Sequence, residues 1–146
     1  MTLNVGTISG GTRSNVIPEY ASATVDVRIA RRKDHKLIER KIYGLRPFHP
    51  EARLEIKGGI NRPPMEHKMA TALYHKAARL ARRMGFELHE ASTGGGSDGN
   101  LTAALGIPTL DGLGGVGDGA HARHEHVIIQ ELPRRAALVA ALLATL

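Results

Sequence analysis

The sequence predicts an α/β fold with an α+β part, and three patterns predict it. From Tyr20 to Ile29 the apolar residues Ala21, Ala23, Val25, Val27 and Ile29 alternate with Ser22, Thr24, Asp26 and Arg28. Period-two alternation is the mark of a strand with one covered face and one wet face. From His67 to Met84 the residues Met69, Ala70, Leu73, Tyr74, Ala77, Leu80, Ala81 and Met84 recur at helical spacing. Such a stripe buries one side of an amphipathic helix. Beyond it, helical stretches take turns with short apolar strands, as in part of an α/β sheet.

Taken in order, Leu3 and Val5 open the chain as a strand, and Ser9-Gly10-Gly11-Thr12 reads as a turn. The strand at 20–29 then completes an antiparallel hairpin. Asp34 is placed to cap a helix that carries Leu37, Ile38, Ile42 and Leu45, with Gly44 near its end. Ala52, Leu54 and Ile56 alternate in a third strand. Strand, strand, helix, strand is the latter part of a ferredoxin-like unit whose opening strand and helix are missing. Residues 58–64 form a linker. After the helix at 67–84 come a strand at 86–88, a glycine-rich loop, a short helix, a strand at 107–110 and a second glycine-rich loop. A last helix covers about 132–146, with Pro133 tolerated in its first turn.

The chain has 146 residues, enough for one ordinary domain or pieces of two. Apolar residues make up 42%, but with three Tyr, two Phe and no Trp the packing must be mainly aliphatic. The net charge of +6 is spread out, apart from Arg31-Arg32-Lys33, Arg82-Arg83 and Arg134-Arg135, and no aromatic residues interleave with it. A solvated face accounts for it better than a nucleic-acid surface, which would cluster its basic residues. There is no cysteine, so neither disulfides nor thiolate metal ligands are available. No signal segment opens the sequence, and the apolar run Ala136–Leu146 is too short for a bilayer. A cytoplasmic protein is expected, without nucleic-acid or membrane partners, and a periplasmic place stays open for a longer parent.

Two stretches carry the chemistry. Thr93-Gly94-Gly95-Gly96-Ser97-Asp98-Gly99-Asn100 permits tight turns and close approaches. Ser97 or Asp98 can cap a helix that Gly106 stops, and a glycine-rich turn before a helix aims N–H groups at an anion or a polarised carbonyl. The second stretch is Gly117-Asp118-Gly119-Ala120-His121, followed by Ala122-Arg123-His124-Glu125-His126. There a neutral imidazole at His121 is well suited to a metal. Either Asp118 or Glu125 is near enough to orient its other ring nitrogen.

Together with Leu105-Gly106-Ile107-Pro108-Thr109-Leu110 between them, these stretches resemble the C-terminal end of the co-catalytic zinc aminoacylase and carboxypeptidase family. Glutamate carboxypeptidase, acetylornithine deacetylase and succinyl-diaminopimelate desuccinylase belong to it, and the glutamate carboxypeptidase branch is most similar. The front of the chain adds to the resemblance through Gly10-Gly11-Thr12-Arg13-Ser14-Asn15-Val16-Ile17-Pro18 and Ala23-Thr24-Val25-Asp26-Val27-Arg28. The resemblance implies a truncated ferredoxin-like lid and dimerisation domain over 1–63. It implies the C-terminal segment of a zinc-hydrolase α/β domain over 64–146. It further implies that Asn15 reaches the scissile carbonyl, that Arg28 and Arg62 hold a substrate carboxylate, and that Gly95, Gly96 and Ser97 line the pocket. His121 would be the last zinc ligand, and the substrate a small peptide or N-acyl amino acid with a free carboxylate.

Residue chemistry agrees with those roles, since arginine grips carboxylates with a rigid fork and an asparagine amide can donate to an oxyanion. One departure is decisive. The family pattern also requires a His-x-Asp, a bridging Asp and a Glu-Glu pair, and this sequence has neither a His-x-Asp nor adjacent glutamates. A catalytic zinc wants about three protein ligands, so the chain is expected to be part of a longer enzyme and inactive alone, with at most a weak zinc half-site. Two other readings stay open: an interaction module that pairs through the lid as a homodimer, and a chance metal cluster of His121, His124, Glu125 and His126.

Overall fold

A computed structural model describes residues 1–146. The chain divides into two compact units, Met1–Pro64 and Met65–Leu146. The architecture is mixed: two small antiparallel sheets and four α-helices, with no helix long and apolar enough to cross a membrane.

The first unit is built on a hairpin of β1 (Thr2–Gly10) and β2 (Ala21–Arg28). Its register runs from Thr2 opposite Arg28 to Gly10 opposite Ala21, with a shift between Val5 and Thr7 that leaves Gly6 as an extra residue. That bulge explains an irregularity in the sequence. Leu3 and Val5 share a parity that Ile8 breaks, and one inserted residue moves everything beyond it to the other face. Ile8 therefore lies opposite Ala23, on the same face as Leu3, Val5, Val25 and Val27. The strand runs through Ser9 and Gly10, where a turn was expected; the connection begins at Gly11.

The expected covered face is not covered. Leu3 is 57% exposed and Ile8 78%, so both faces of the hairpin meet solvent. A two-stranded hairpin in that condition is only marginally stable by itself. After a 3-10 turn at Arg32–Asp34 comes α1 (His35–Tyr43), which buries His35 and Ile38 but leaves Leu37 half exposed; Gly44 caps it, so Leu45, expected in the helix, lies beyond its end. Asp34 occupies the N-cap position without capping; its carboxylate takes the Arg31 guanidinium at 2.8 Å instead. The third strand expected at Ala52–Ile56 does not form. Those residues pair with no strand, and the segment is tied down by the Tyr43 hydroxyl, which donates to the Gly58 carbonyl at 2.7 Å. A ladder needs a neighbour, and alternation alone cannot provide one.

In the second unit α2 (His67–Arg83) packs on α4 (Leu132–Leu143). Ala77 and Ala81 let the helices approach, and Leu138 and Leu142 fill the seam, with Leu80, Phe86, Leu88, Leu110 and Leu113 closing around it. Pro133 sits in the first turn of α4, where its missing N–H costs nothing. The strands expected at 86–88 and 107–110 do not form; those residues join no ladder. The first is held along α2 by the Tyr74 hydroxyl donating to Leu88 O at 3.0 Å and by the His67–Glu90 contact at 2.8 Å. Between them lies α3 (Gly99–Ala104), and later a two-residue ladder of β3 (Gly117–Asp118) with β4 (His126–Val127).

Leu138 is fully buried, so Leu138→Ala removes most of one side of the α2–α4 seam. The expected loss is about 3 kcal/mol, from lost burial plus the cavity left behind. It should appear as a lower urea midpoint at unchanged slope; a loss below about 1 kcal/mol would mean that the helices close the gap.

Candidate functional site

Asn15 belongs to the connection between β1 and β2, in a turn where the Val16 N–H donates to Arg13 O. Arg28 ends β2, at the opposite end of the hairpin from that connection. From Ala21 to Arg28 is seven strand steps, roughly 23 Å. The structure thus does not bring Asn15 and Arg28 together within the hairpin. Arg28 lies on the polar face, and its Nε donates to Asp26 Oδ2 at 2.8 Å, with both side chains 56% exposed. An ion pair this exposed holds the guanidinium only loosely. Arg62 is exposed in the bend that precedes α2.

The glycine-rich loop of the second unit differs from expectation. None of Gly94, Gly95 and Gly96 adopts a left-handed φ. Three of the loop's N–H groups are also spent on its own side chains. Thr93 Oγ1 accepts from Gly95 N at 3.2 Å, Asn100 Oδ1 from Ser97 N at 2.9 Å, and Ser97 Oγ from Gly99 N at 3.1 Å. Of the two expected caps, Asp98 holds the N-cap position without a side-chain cap bond, while Ser97, one residue earlier, accepts the first N–H of the helix. An amide already paired at good geometry offers little to an incoming anion. The loop is then sewn to the following segment by Thr102 and Thr109, whose hydroxyls lie 2.9 Å apart.

His121 stands near the tip of a loop closed by the β3–β4 ladder. It is the one non-glycine residue with positive φ, at 68°. Gly119 has φ 75°, and a Cβ there would come within 2.6 Å of the His124 ring. At the base the approach is closer still: a Cβ on Gly117 would lie 1.9 Å from the His126 carbonyl oxygen. The carboxylates proposed to orient the imidazole do something else. Asp118 Oδ1 accepts the Gly119 N–H at 2.7 Å, and Glu125 Oε2 accepts the backbone N–H of His121 itself at 3.1 Å. His126 Nδ1 lies 3.0 Å from the His124 carbonyl. The loop's approach is anchored from α4, where Arg135 donates through Nε to Gly114 O at 2.9 Å and through a terminal nitrogen to Gly112 O. The sequence reading missed the close backbone approach at Gly117, the anchoring by Arg135 and the backbone role of Glu125.

No three His, Asp or Glu side chains are arranged to hold a metal ion. Zinc wants about three protein ligands, so the residues of this chain do not fit a zinc site by themselves, and the local cluster of His121, His124, Glu125 and His126 is not drawn together as one. A shallow cleft of about 150 Å³ in the second unit is lined by aliphatic side chains including Leu73, Val139 and Leu146, and holds nothing that would grip a carboxylate.

The model for peptidase family M20/M25/M40 matches residues 3–145, and the chain belongs to that family. It is 33% identical over 143 residues to carboxypeptidase G2 of Pseudomonas sp. (strain RS-16), covering 93% of this chain and 34% of that protein. It is 26% identical over 148 residues to the uncharacterized protein YqjE of Bacillus subtilis (strain 168), covering 97% of this chain and 39% of that one. A probable carboxypeptidase of Paracoccidioides brasiliensis (strain Pb03) is 32% identical over 68 residues, 44% of this chain and 15% of the other. The chain therefore spans at most about two-fifths of the length of these curated relatives.

Proposed function

We propose that this chain is part of a zinc-dependent metallopeptidase or amidohydrolase that cleaves the amide bond of N-acyl amino acids or of C-terminal residues in peptides. The observation that carries the reading is a family match that runs unbroken from the arginine hairpin to the His121 loop. In this reading the first unit is a lid of ferredoxin-like descent and the second is the C-terminal segment of the hydrolase domain. The zinc ions, which polarise a carbonyl and activate water when bound, depend on ligands beyond His121. What these residues contribute is grip and placement. Arg28 and Arg62 pair with the substrate carboxylate; the Asn15 amide would donate to the oxygen of the scissile carbonyl, and since it lies at the other end of the hairpin from Arg28, one copy's hairpin does not offer both to the same small substrate. Gly95, Gly96 and Ser97 give a short wall that leaves room for the acyl group.

Arg28→Lys tests the grip. In a form of the protein long enough to hydrolyse an N-acyl amino acid, KM is expected to rise about ten-fold with kcat little changed, because a point charge replaces a planar fork. A kcat loss at constant KM would place Arg28 in the chemistry instead.

The uncovered hairpin face favours a second reading, association of two copies through the first unit. Leu3, Val5 and Ile8 present apolar surface beside an unpaired β1 edge, and exposed edges invite pairing. Native mass measured against concentration tests it; a monomer at all concentrations would remove it.

A further inference from the structure

We propose that Glu125 is a positioning residue for His121: its carboxylate, by accepting the His121 backbone N–H, holds that residue in the left-handed conformation that directs the imidazole out of the loop. The inference rests on the reading above that His121 is functional. Three observations meet at this point. His121 is the only residue with a Cβ whose φ is positive, and such a conformation is uphill for any side chain other than glycine's. Its N–H ends at 3.1 Å on Glu125 Oε2, a charge-assisted bond made by a residue four positions later. Glu125 is itself located by its own N–H, which donates to Ala122 O at 3.1 Å, while Ala122 N donates to Gly119 O at 2.7 Å. The carboxylate is therefore set on a small framework rather than swinging free.

The direction of a side chain follows from its backbone. Between φ near +68° and the ordinary negative region the Cα–Cβ bond of His121 swings to a different side of the loop. The Ala122 N–H bond to Gly119 O closes a turn that puts His121 at its third position, where positive φ is accommodated, and the carboxylate adds the bond that holds the residue there. With it, the orphan N–H that this state turns inward has a partner. The pairing also accounts for a glutamate at this point that makes no salt bridge: its task is to a main-chain donor, not to a cation.

The experiment is backbone NMR on the 146-residue chain and on its Glu125→Gln and Glu125→Ala variants. Positive φ gives a strong cross-peak between the amide and α protons of one residue. Wild-type His121 should show it, Glu125→Gln should keep it because the amide oxygen still accepts, and Glu125→Ala should lose it. The His121 amide should then exchange about five-fold faster, as expected for one net hydrogen bond. Should Glu125→Ala unsettle the whole loop, adding His121→Gly restores it, since glycine needs no support at positive φ. Recovery of the Ile128 amide's protection in that double variant supports the proposal, and failure to recover counts against it. A cross-peak that persists in Glu125→Ala overturns it. Thermal unfolding of Glu125→Ala within about 1 °C of wild type separates positioning from a general structural loss. Failure of the functional reading would look different: hydrolysis by a longer form that does not depend on His121, with the NMR result unchanged.

Discussion

His121→Ala is expected to lower amide hydrolysis by more than about 100-fold in a form of the protein that turns over N-acyl amino acids, since even residues that only orient a metal ligand cost 10–100-fold. Stability should barely move. The His121 side chain is exposed, so its removal empties no core, and alanine has no greater liking for positive φ than histidine. A large loss of activity with an unchanged unfolding midpoint is therefore the expected pair of results. The 146-residue chain by itself should bind zinc weakly and show no measurable turnover with zinc added at neutral pH, as its side chains gather no set of three ligands. Turnover by the short chain that vanished in His121→Ala would show that the histidines around the loop assemble a site on their own.

Which parts of this molecule could be read from the sequence depended on whether their cause was local. The strand at 21–28 and the helix at 67–83 fall within a residue of the patterns that predict them, because periodicity and end signals act within the element itself. The segments at 52–56, 86–88 and 107–110 carry strand-like residues just as plainly, yet none is a strand. A strand is defined by what it bonds to, and their backbones find no ladder in this chain. The bulge at Gly6 lay open to inspection as a parity break between Val5 and Ile8, though only the register says which residue is extra.

At the candidate site the divide is similar. Ser97, Asn100 and Thr93 flank the glycines, and their hydroxyl and amide groups take the N–H groups of Gly95, Ser97 and Gly99, which the sequence reading had left to an incoming ligand. Glycine content was legible, but the competition was not, because short polar side chains satisfy nearby backbone in ways that depend on a few degrees of turn. Glu125 illustrates the same limit. Its spacing from His121 suited a bond to the ring or to the main chain, and only the backbone conformation of His121 decides for the main chain.

Gly117→Ala should harm the same loop from its base, and by a route the wild-type sequence conceals. The added methyl would need the space now occupied by the His126 carbonyl, 1.9 Å away. Backbone on both sides meets there, so no side-chain rotation relieves it; strain of about 3 kcal/mol is expected, at the upper end of overpacking costs. The ladder at Gly117–Val127 and Asp118–His126 is only two residues long and exposed, so opening it is the cheapest response. Global stability should then fall by less than the strain, while the Ile128 amide, which donates to Val116 O at 2.7 Å, loses its protection. Once the base opens, the tip has no fixed direction, and activity in a catalytically competent form should fall nearly as far as in His121→Ala. Hydrogen exchange and the hydrolysis assay on one variant decide it. An Ile128 amide that stays protected, or activity near wild type, would mean that strands β3 and β4 stand further apart in solution than this geometry has them.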